Sequence, residues 1–279
     1  MHTYRCTIAR TPREIGEAQR LRWRVYGEEE RLLPTSVCVE GREIDARDRH
    51  DGTVHFVVRA GAEMVGTVRL LRADAREAVR SEGRVGLDLE SKFDLSSLRR
   101  HDIVPAEITR YCVLRAYRCT GVTPALFSTL RTESLRLGIT HWVAGANMET
   151  DVAEDAAIVH RVADQKSLIS RRFLAETRTR MPLHTPRSRP FYTVEQRRRA
   201  RAGDLRELDL PRTLSVFARR MGARFIGAPA YDAYFNVFAL PLVATLADLA
   251  VPHQAVRVSG RSTSSPPSSS SPGPSSPSM

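Results

Sequence analysis

Seven side chains spread over the first 120 positions have the types and spacing to do chemistry together. Arg22 and Tyr26 stand in LRWRVY, Asp45 and Asp48 in EIDARD, Arg69 in VGTVRLL, and Glu107 and Arg110 in EITRYCV. The last three lie inside apolar, strand-like runs, where an unpaired charge is costly to bury. Charges in such places pair with one another or take part in a reaction. Three arginines with Asp45, Asp48 and Glu107 would neutralise each other in one cleft. An arginine fork at position 69, in mid-strand, suits two-point binding of a carboxylate.

Each piece also has a plainer reading. Residues three apart on a strand point to opposite faces, so Glu107 and Arg110 meet only if the strand bulges, a feature frequent at active sites. Asp45 and Asp48 are either metal ligands or a turn with two solvated carboxylates. No further Asp/His cluster accompanies them, so no metal is expected. His55 falls in a strand and reads as packed or paired. Arg118-x-x-Gly121-x-Thr123 sits between a strand and a helix. Helix-terminal N–H groups and a glycine there make either an anion site or an ordinary turn.

The elements that must position these residues follow from the pattern. Residues 3–9 read as a short strand. Thr11-Pro12-Arg13-Glu14 has capping-box spacing with proline at the first helical position, so a helix runs to about Glu30. That helix puts Arg22 and Tyr26, four apart, on its apolar face. VHFVVRA and EMVGTVRLL around Gly61-Ala62 predict a hairpin. AEITRYCVL is a strand, residues 122–137 a helix and 139–146 a strand, the order of a βαβ-type unit. The sheet is expected to splay open past residue 112. Residues 150–210 are helical in part, interrupted by MPLHTPRSRP. Then come a helix (PRTLSVFARRMGA), a short strand (RFIG) and an apolar strand (VFALPLVATL). From about Ser259 serine and proline dominate, which predicts disorder.

Composition narrows the classes. A hydrophobic content of 42% is that of a globular protein. No run of eighteen apolar residues appears and the N-terminus lacks an apolar signal core, so a soluble, cytoplasmic protein is expected. Cys6, Cys38, Cys112 and Cys119 show no C-x-x-C spacing. Lysine occurs only at Lys92 and Lys166. Residues 161–224 hold 17 Lys/Arg against 6 Asp/Glu, while the rest of the chain balances, so this block carries the whole formal charge of +11. Such a block attracts nucleic acid, anionic lipid or an acidic protein, or is simply a solvated arginine-rich face.

In their order, L-R-x-x-V-[FY], E-x-D-x-x-D, G-x-x-R-L and E-x-[ST]-R resemble the acyl-homoserine-lactone synthases, N-acyl amino acid synthases and ornithine-lipid N-acyltransferases of the GNAT superfamily. The resemblance covers about residues 10–148 and resumes in PRTLSVFARRMGARFIGAP, as in the lipid-type relatives. It implies an α+β fold (an α/β/α sandwich), a GNAT-like mixed central sheet flanked by helices. The domain would span 1–258 with a basic insertion at about 150–210, before a disordered tail at 259–279. It implies that Arg22, Tyr26, Asp45, Asp48, Arg69, Glu107 and Arg110 line the catalytic cleft. Arg118, Gly121 and Thr123 match the pantetheine-phosphate loop, with Thr123 where glycine or alanine is usual. Quorum-signal synthases carry a tryptophan after the first motif, where this chain reads GEEERLLP, and L-x-P-T after the third, where it reads LLRADA. Both departures favour the N-acyl amino acid or lipid branch.

The expected activity is transfer of a fatty acyl group from a carrier thioester to the amine of an amino acid or similar small acceptor. Glu107 is the expected base, unless Arg69 and Arg110 depress its pKa. Those arginines would hold the acceptor's carboxylate, while Arg22, Tyr26, Asp45 and Asp48 serve the acceptor. No permanently bound cofactor is expected. The co-substrate is acyl-carrier protein or acyl-coenzyme A, the acidic carrier docking on the 161–224 block, with transient membrane-surface contact also open. An acyl-homoserine-lactone synthase, an acetyl-coenzyme A-dependent acetyltransferase and a non-catalytic scaffold are alternatives. A nucleic-acid-binding protein is a further one, disfavoured because the block lacks interleaved stacking aromatics.

Overall fold

The computed structural model describes residues 4–80, 82–178 and 189–249. Most of MPLHTPRSRP and the whole Ser/Pro-rich tail, with the expectations placed on them, lie outside the described residues. Thr11 caps α1 (Pro12–Trp23), accepting from the Glu14 amide while Glu14 accepts from the Thr11 amide, and the helix continues as a wider turn over Arg24–Glu29. The expected strands form in order, β1 (Arg5–Ala9), β2 (Thr53–Ala60), β3 (Glu63–Arg72), β4 (Pro105–Val113), β5 (His141–Asn147) and β6 (Arg224–Phe225), then an unexpected short strand β7 (Ala230–Asp232) before the expected β8 (Val237–Thr245). The remaining principal helices are α2 (Val122–Arg136), α3 (Ala153–Gln165), α4 (Val194–Arg201) and α5 (Arg212–Met221).

The eight strands make one mixed sheet of order β1-β2-β3-β4-β5-β8-β6, with β7 also paired to β8. β3 lies inside it and is buried along all but its end residues, as its unbroken apolar run demands. Gly66 lets α2 press onto this strand, since a Cβ there would come within 2.6 Å of Val122 Cγ1. Every pairing is antiparallel except β4 with β5. That parallel pair spans only Pro105↔His141, Ala106↔Trp142 and Glu107↔Val143, and then the strands part. The sheet thus opens after Glu107, earlier than the expected position 112.

The other edge of β4 carries a bulge. Thr67 pairs with Cys112 and Arg69 with Thr109, so Arg110 and Tyr111 together face Val68. Arg110 takes a left-handed φ of 54°, uncommon for a residue with a side chain. Tyr26, from the helical turn after α1, donates to the Tyr111 carbonyl at 2.9 Å and holds the bulge in place.

Candidate active site

Arg22, Arg69 and Arg110 form a closed ring with Glu43, Asp45 and Asp48. Arg22 Nε lies 2.5 Å from Glu43 Oε2, and Arg22 Nη2 donates to Asp48 Oδ2 at 2.6 Å. Arg69 Nη1 donates to Asp48 at 2.8 Å and Nη2 to Asp45 at 3.0 Å. Arg110 Nε donates to Glu43 at 3.0 Å and Nη2 to Asp45 at 2.6 Å, closing the circle. Each arginine meets two carboxylates and each carboxylate two arginines, so the ring is neutral. Such mutual pairing is what buried charges require.

Local sequence explains the placement. Asp45-Ala-Arg-Asp48 caps a single 3-10 turn: Asp45 accepts from the Arg47 amide and Asp48 from the Asp45 amide. His55, Arg69 and Thr109 stand side by side across β2, β3 and β4. His55 Nε2 lies 3.0 Å from the Asp48 carbonyl, and Arg69 Nε donates to Thr109 Oγ1 at 2.9 Å. The bulge turns Arg110 onto the face that Thr109 shares, where a regular strand would send it to the opposite one. Burial opposes charge on Asp45 and Asp48, but their arginine partners outweigh it and hold both carboxyls well below the usual range. N–H donors surround both groups, the setting of an ion pair and not of a metal ligand. Among the described residues no group of three or more His, Cys, Asp or Glu is placed to hold a metal ion.

Three expectations need correction. Glu43, not Glu107, is the third carboxylate of the ring. The bulge does not bring Glu107 to Arg110, because Arg110 is drawn instead to Glu43 and Asp45. And the arginines do not depress Glu107: burial, then the negative charge of Asp88, push its carboxyl up to about 8 despite Lys92 and Arg69. Glu107 is 3% exposed, and its Oε2 accepts from the Leu89 amide at 2.9 Å.

Beside the ring lies a cleft of about 510 Å³. Its walls include Asp45, Asp88, Lys92, Arg110, Tyr234 and Phe235. The Arg110 guanidinium lies over both rings, 5.1 Å from the Tyr234 centroid and 5.2 Å from that of Phe235. Tyr234 donates to Glu43 at 2.7 Å. Arg69 has no share in this cleft, since all three of its nitrogens donate to Thr109, Asp48 and Asp45. Sequence reading missed Asp88, Lys92, Tyr234 and Phe235, which no spacing links. Glu43 stood in the E-x-D-x-x-D motif without a role.

Arg118 and Gly121 do precede a helix, α2, with Gly121 at its N-cap, and Thr123 lies in its first turn. The structure fills much of the space around it. Arg118 donates to the Val113 carbonyl at 3.0 Å and pairs with Glu29 and Glu30. Tyr4 lies 3.1 Å from where a Gly121 Cβ would stand, and Thr123 Oγ1 is 2.8 Å from the Tyr111 hydroxyl. Arg212, at the start of α5, reaches Cys119 Sγ at 3.3 Å and adds a second cation beside the loop.

The basic block is less cationic than its composition. Arg197 pairs with Asp155, Arg198 with Glu195, Arg199 with Asp204 and Glu207, Arg201 with Glu154, and Arg206 with Asp204. No helix among the described residues is long and apolar enough to cross a membrane.

Comparison with known proteins agrees with the topology. No curated protein sequence matches this chain significantly. Among solved structures, FeeM, an N-acyl amino acid synthase from uncultured soil microbes, is similar at a TM-score of 0.50 and 13% identity, over 88% of this chain and 92% of that one. The acyl-homoserine-lactone synthase LasI is similar at 0.44 and 14% identity, over 88% and 90%. At these identities the likeness to FeeM speaks for the fold alone, and the fainter one to LasI adds nothing to it. Residues 21–128 match the acetyltransferase (GNAT) domain family. That stretch holds the last residues of α1, the bulged strand and the start of α2, and the eight-stranded mixed sheet flanked by helices is that of the GNAT α+β fold.

Proposed function

We propose that the chain is an N-acyltransferase that moves a fatty acyl group from a thioester to the amine of an amino acid or similar small acceptor. The observation that carries this reading is Glu107, buried where β4 and β5 part and raised to about 8. A carboxylate with that pKa is matched to taking a proton from an ammonium near neutral pH. The acceptor ammonium passes one proton through water to Glu107, and the freed lone pair attacks the thioester carbonyl carbon. The carbon–sulfur bond breaks, the second proton leaves nitrogen for the thiolate, and an amide and a thiol remain. Backbone N–H groups along residues 111–113, next to the bulge, are the oxyanion donors in this scheme. The Leu114 amide is not among them, being donated to Val65.

Arg110 is the acceptor-carboxylate ligand in this scheme, because it lines the cleft and its Nη1 makes no hydrogen bond among the described residues. Arg22, Arg69, Asp45 and Asp48 orient it through the ring, and Tyr26 does so through the bulge. The first turn of α2, with Gly121, Thr123 and Arg212, takes the pantetheine phosphate, while Arg118 holds the loop through Val113, Glu29 and Glu30. Either coenzyme A or an acidic carrier protein presents that group. Arg161, Lys166, Arg171, Arg219 and Arg220 are exposed and have no ion pair among the described residues, which favours a carrier.

The test is direct. Purified protein is incubated with long-chain acyl-coenzyme A or acyl-carrier protein and a mixture of amino acids, and the extract is analysed by mass spectrometry. The expected product is an N-acyl amino acid. Acylation of amines by acetyl-coenzyme A alone would replace this reading with a conventional acetyltransferase. No product with any donor would remove it.

A further inference from the structure

Glu107 is not itself on the cleft wall, although the reaction needs it to meet the acceptor. The 3-10 turn Asp88–Ser91 stands between them. Its Leu89 N–H is tied to Glu107, while Asp88 and Lys92, at its two ends, line the cleft. Both ends are braced from elsewhere: Asp88 pairs with Arg47, and Lys92 with Asp232 at 2.8 Å, at the end of β7. One short turn thus presents a carboxylate and an ammonium to the cleft and holds the buried carboxylate behind them.

Resting on the reading above, we propose that Asp88 is a positioning residue that receives the acceptor's ammonium group at the cleft wall and holds it toward Glu107. The acceptor class follows from the lining. An ammonium meets Asp88, a carboxylate meets Arg110 and Lys92, and the side chain lies along Tyr234 and Phe235. That is an α-amino acid zwitterion with an apolar or aromatic side chain. The charged groups acting on Glu107 are Asp88 and Lys92 from the turn and Arg69 from β3, while Val143 opposes it on β5. The negative charge of Asp88 favours the protonated form of Glu107, and the two cations oppose it.

The experiment uses the full chain with ¹³C-labelled glutamate, the Glu107 signal being assigned by its loss in Glu107→Gln. Titration of that carboxyl is followed by NMR in wild type, Asp88→Asn and Asp88→Glu, beside steady-state kinetics. In Asp88→Asn the Glu107 midpoint and the acid limb of kcat both move to lower pH. The acceptor KM rises about tenfold, as for a lost charged hydrogen bond. Asp88→Glu restores both. A Glu107 midpoint unmoved in folded Asp88→Asn, or an unchanged acceptor KM, overturns the proposal. Wild-type protein that acylates no amine overturns the acyltransferase reading instead, and the titration still decides whether Asp88 acts on Glu107.

Discussion

All three nitrogens of Arg69 donate to protein acceptors, whereas Arg110 keeps Nη1 for the cleft. The two arginines should therefore fail differently. Arg69→Lys keeps the charge but not the planar fork, and should lower stability by about 1–3 kcal/mol in denaturant titration while raising the acceptor KM of the folded enzyme less than Arg110→Lys does, since it reaches the acceptor only through the ring. Arg110→Lys should raise the acceptor KM in steady-state assays. Glu107 makes a separate prediction through its pKa of about 8, above any unfolded value. A group raised in this way favours the folded state below its unfolded pKa, and that contribution is lost as pH rises through about 8. Glu107→Gln should thus gain stability relative to wild type between pH 5 and pH 9, and equal differences at both pH values would contradict the burial argument. The arginines were legible in the sequence because a charge within an apolar strand stands out. Glu43 was not, since it stands in a two-residue strand, Arg42–Glu43, too short to make a carboxylate conspicuous.

The bulged strand is the element on which the site depends. It carries Glu107 at its parallel edge and Arg110 at its antiparallel one, and Tyr26 anchors its irregular carbonyl. Tyr26→Phe removes one hydrogen bond worth about 1 kcal/mol, which in a chain of this size lowers Tm by roughly 2–4 °C. Because the bulge aims Arg110, the same variant should raise the acceptor KM more than a distant change of equal stability cost. The hairpin, the βαβ order and the capped first helix were all readable, since period, glycine turn and capping box are local signals. The point at which β4 and β5 part was not, because it depends on what packs between strands distant in sequence. The cleft is harder still. Its walls come from residues 44–47, from Asp88, Ser91 and Lys92, from Arg110 and from residues 231–235, which only the tertiary fold brings together.

At the scale of the molecule, charge governs both stability and encounter. Asp45 and Asp48 are held below their ordinary range, so their contribution is present above about pH 4 and lost as pH falls toward the folded values. Acid unfolding should accordingly begin below the ordinary aspartate range, as followed by circular dichroism, and the transition should move to higher pH in Arg110→Met. If exposed arginines dock an acidic carrier, turnover with acyl-carrier protein should fall as salt rises through about 0.5 M, and turnover with acyl-coenzyme A much less. Equal salt sensitivity would argue against docking by this surface. The most direct test of the whole account is kcat for acyl transfer to an amino acid, measured from pH 6 to 10 for wild type and Glu107→Gln. The account predicts a wild-type rate that climbs through about pH 8. In the folded variant the rate should fall by roughly 10²–10⁴ and lose that rise. A folded Glu107→Gln protein whose kcat matches wild type across the range would contradict it.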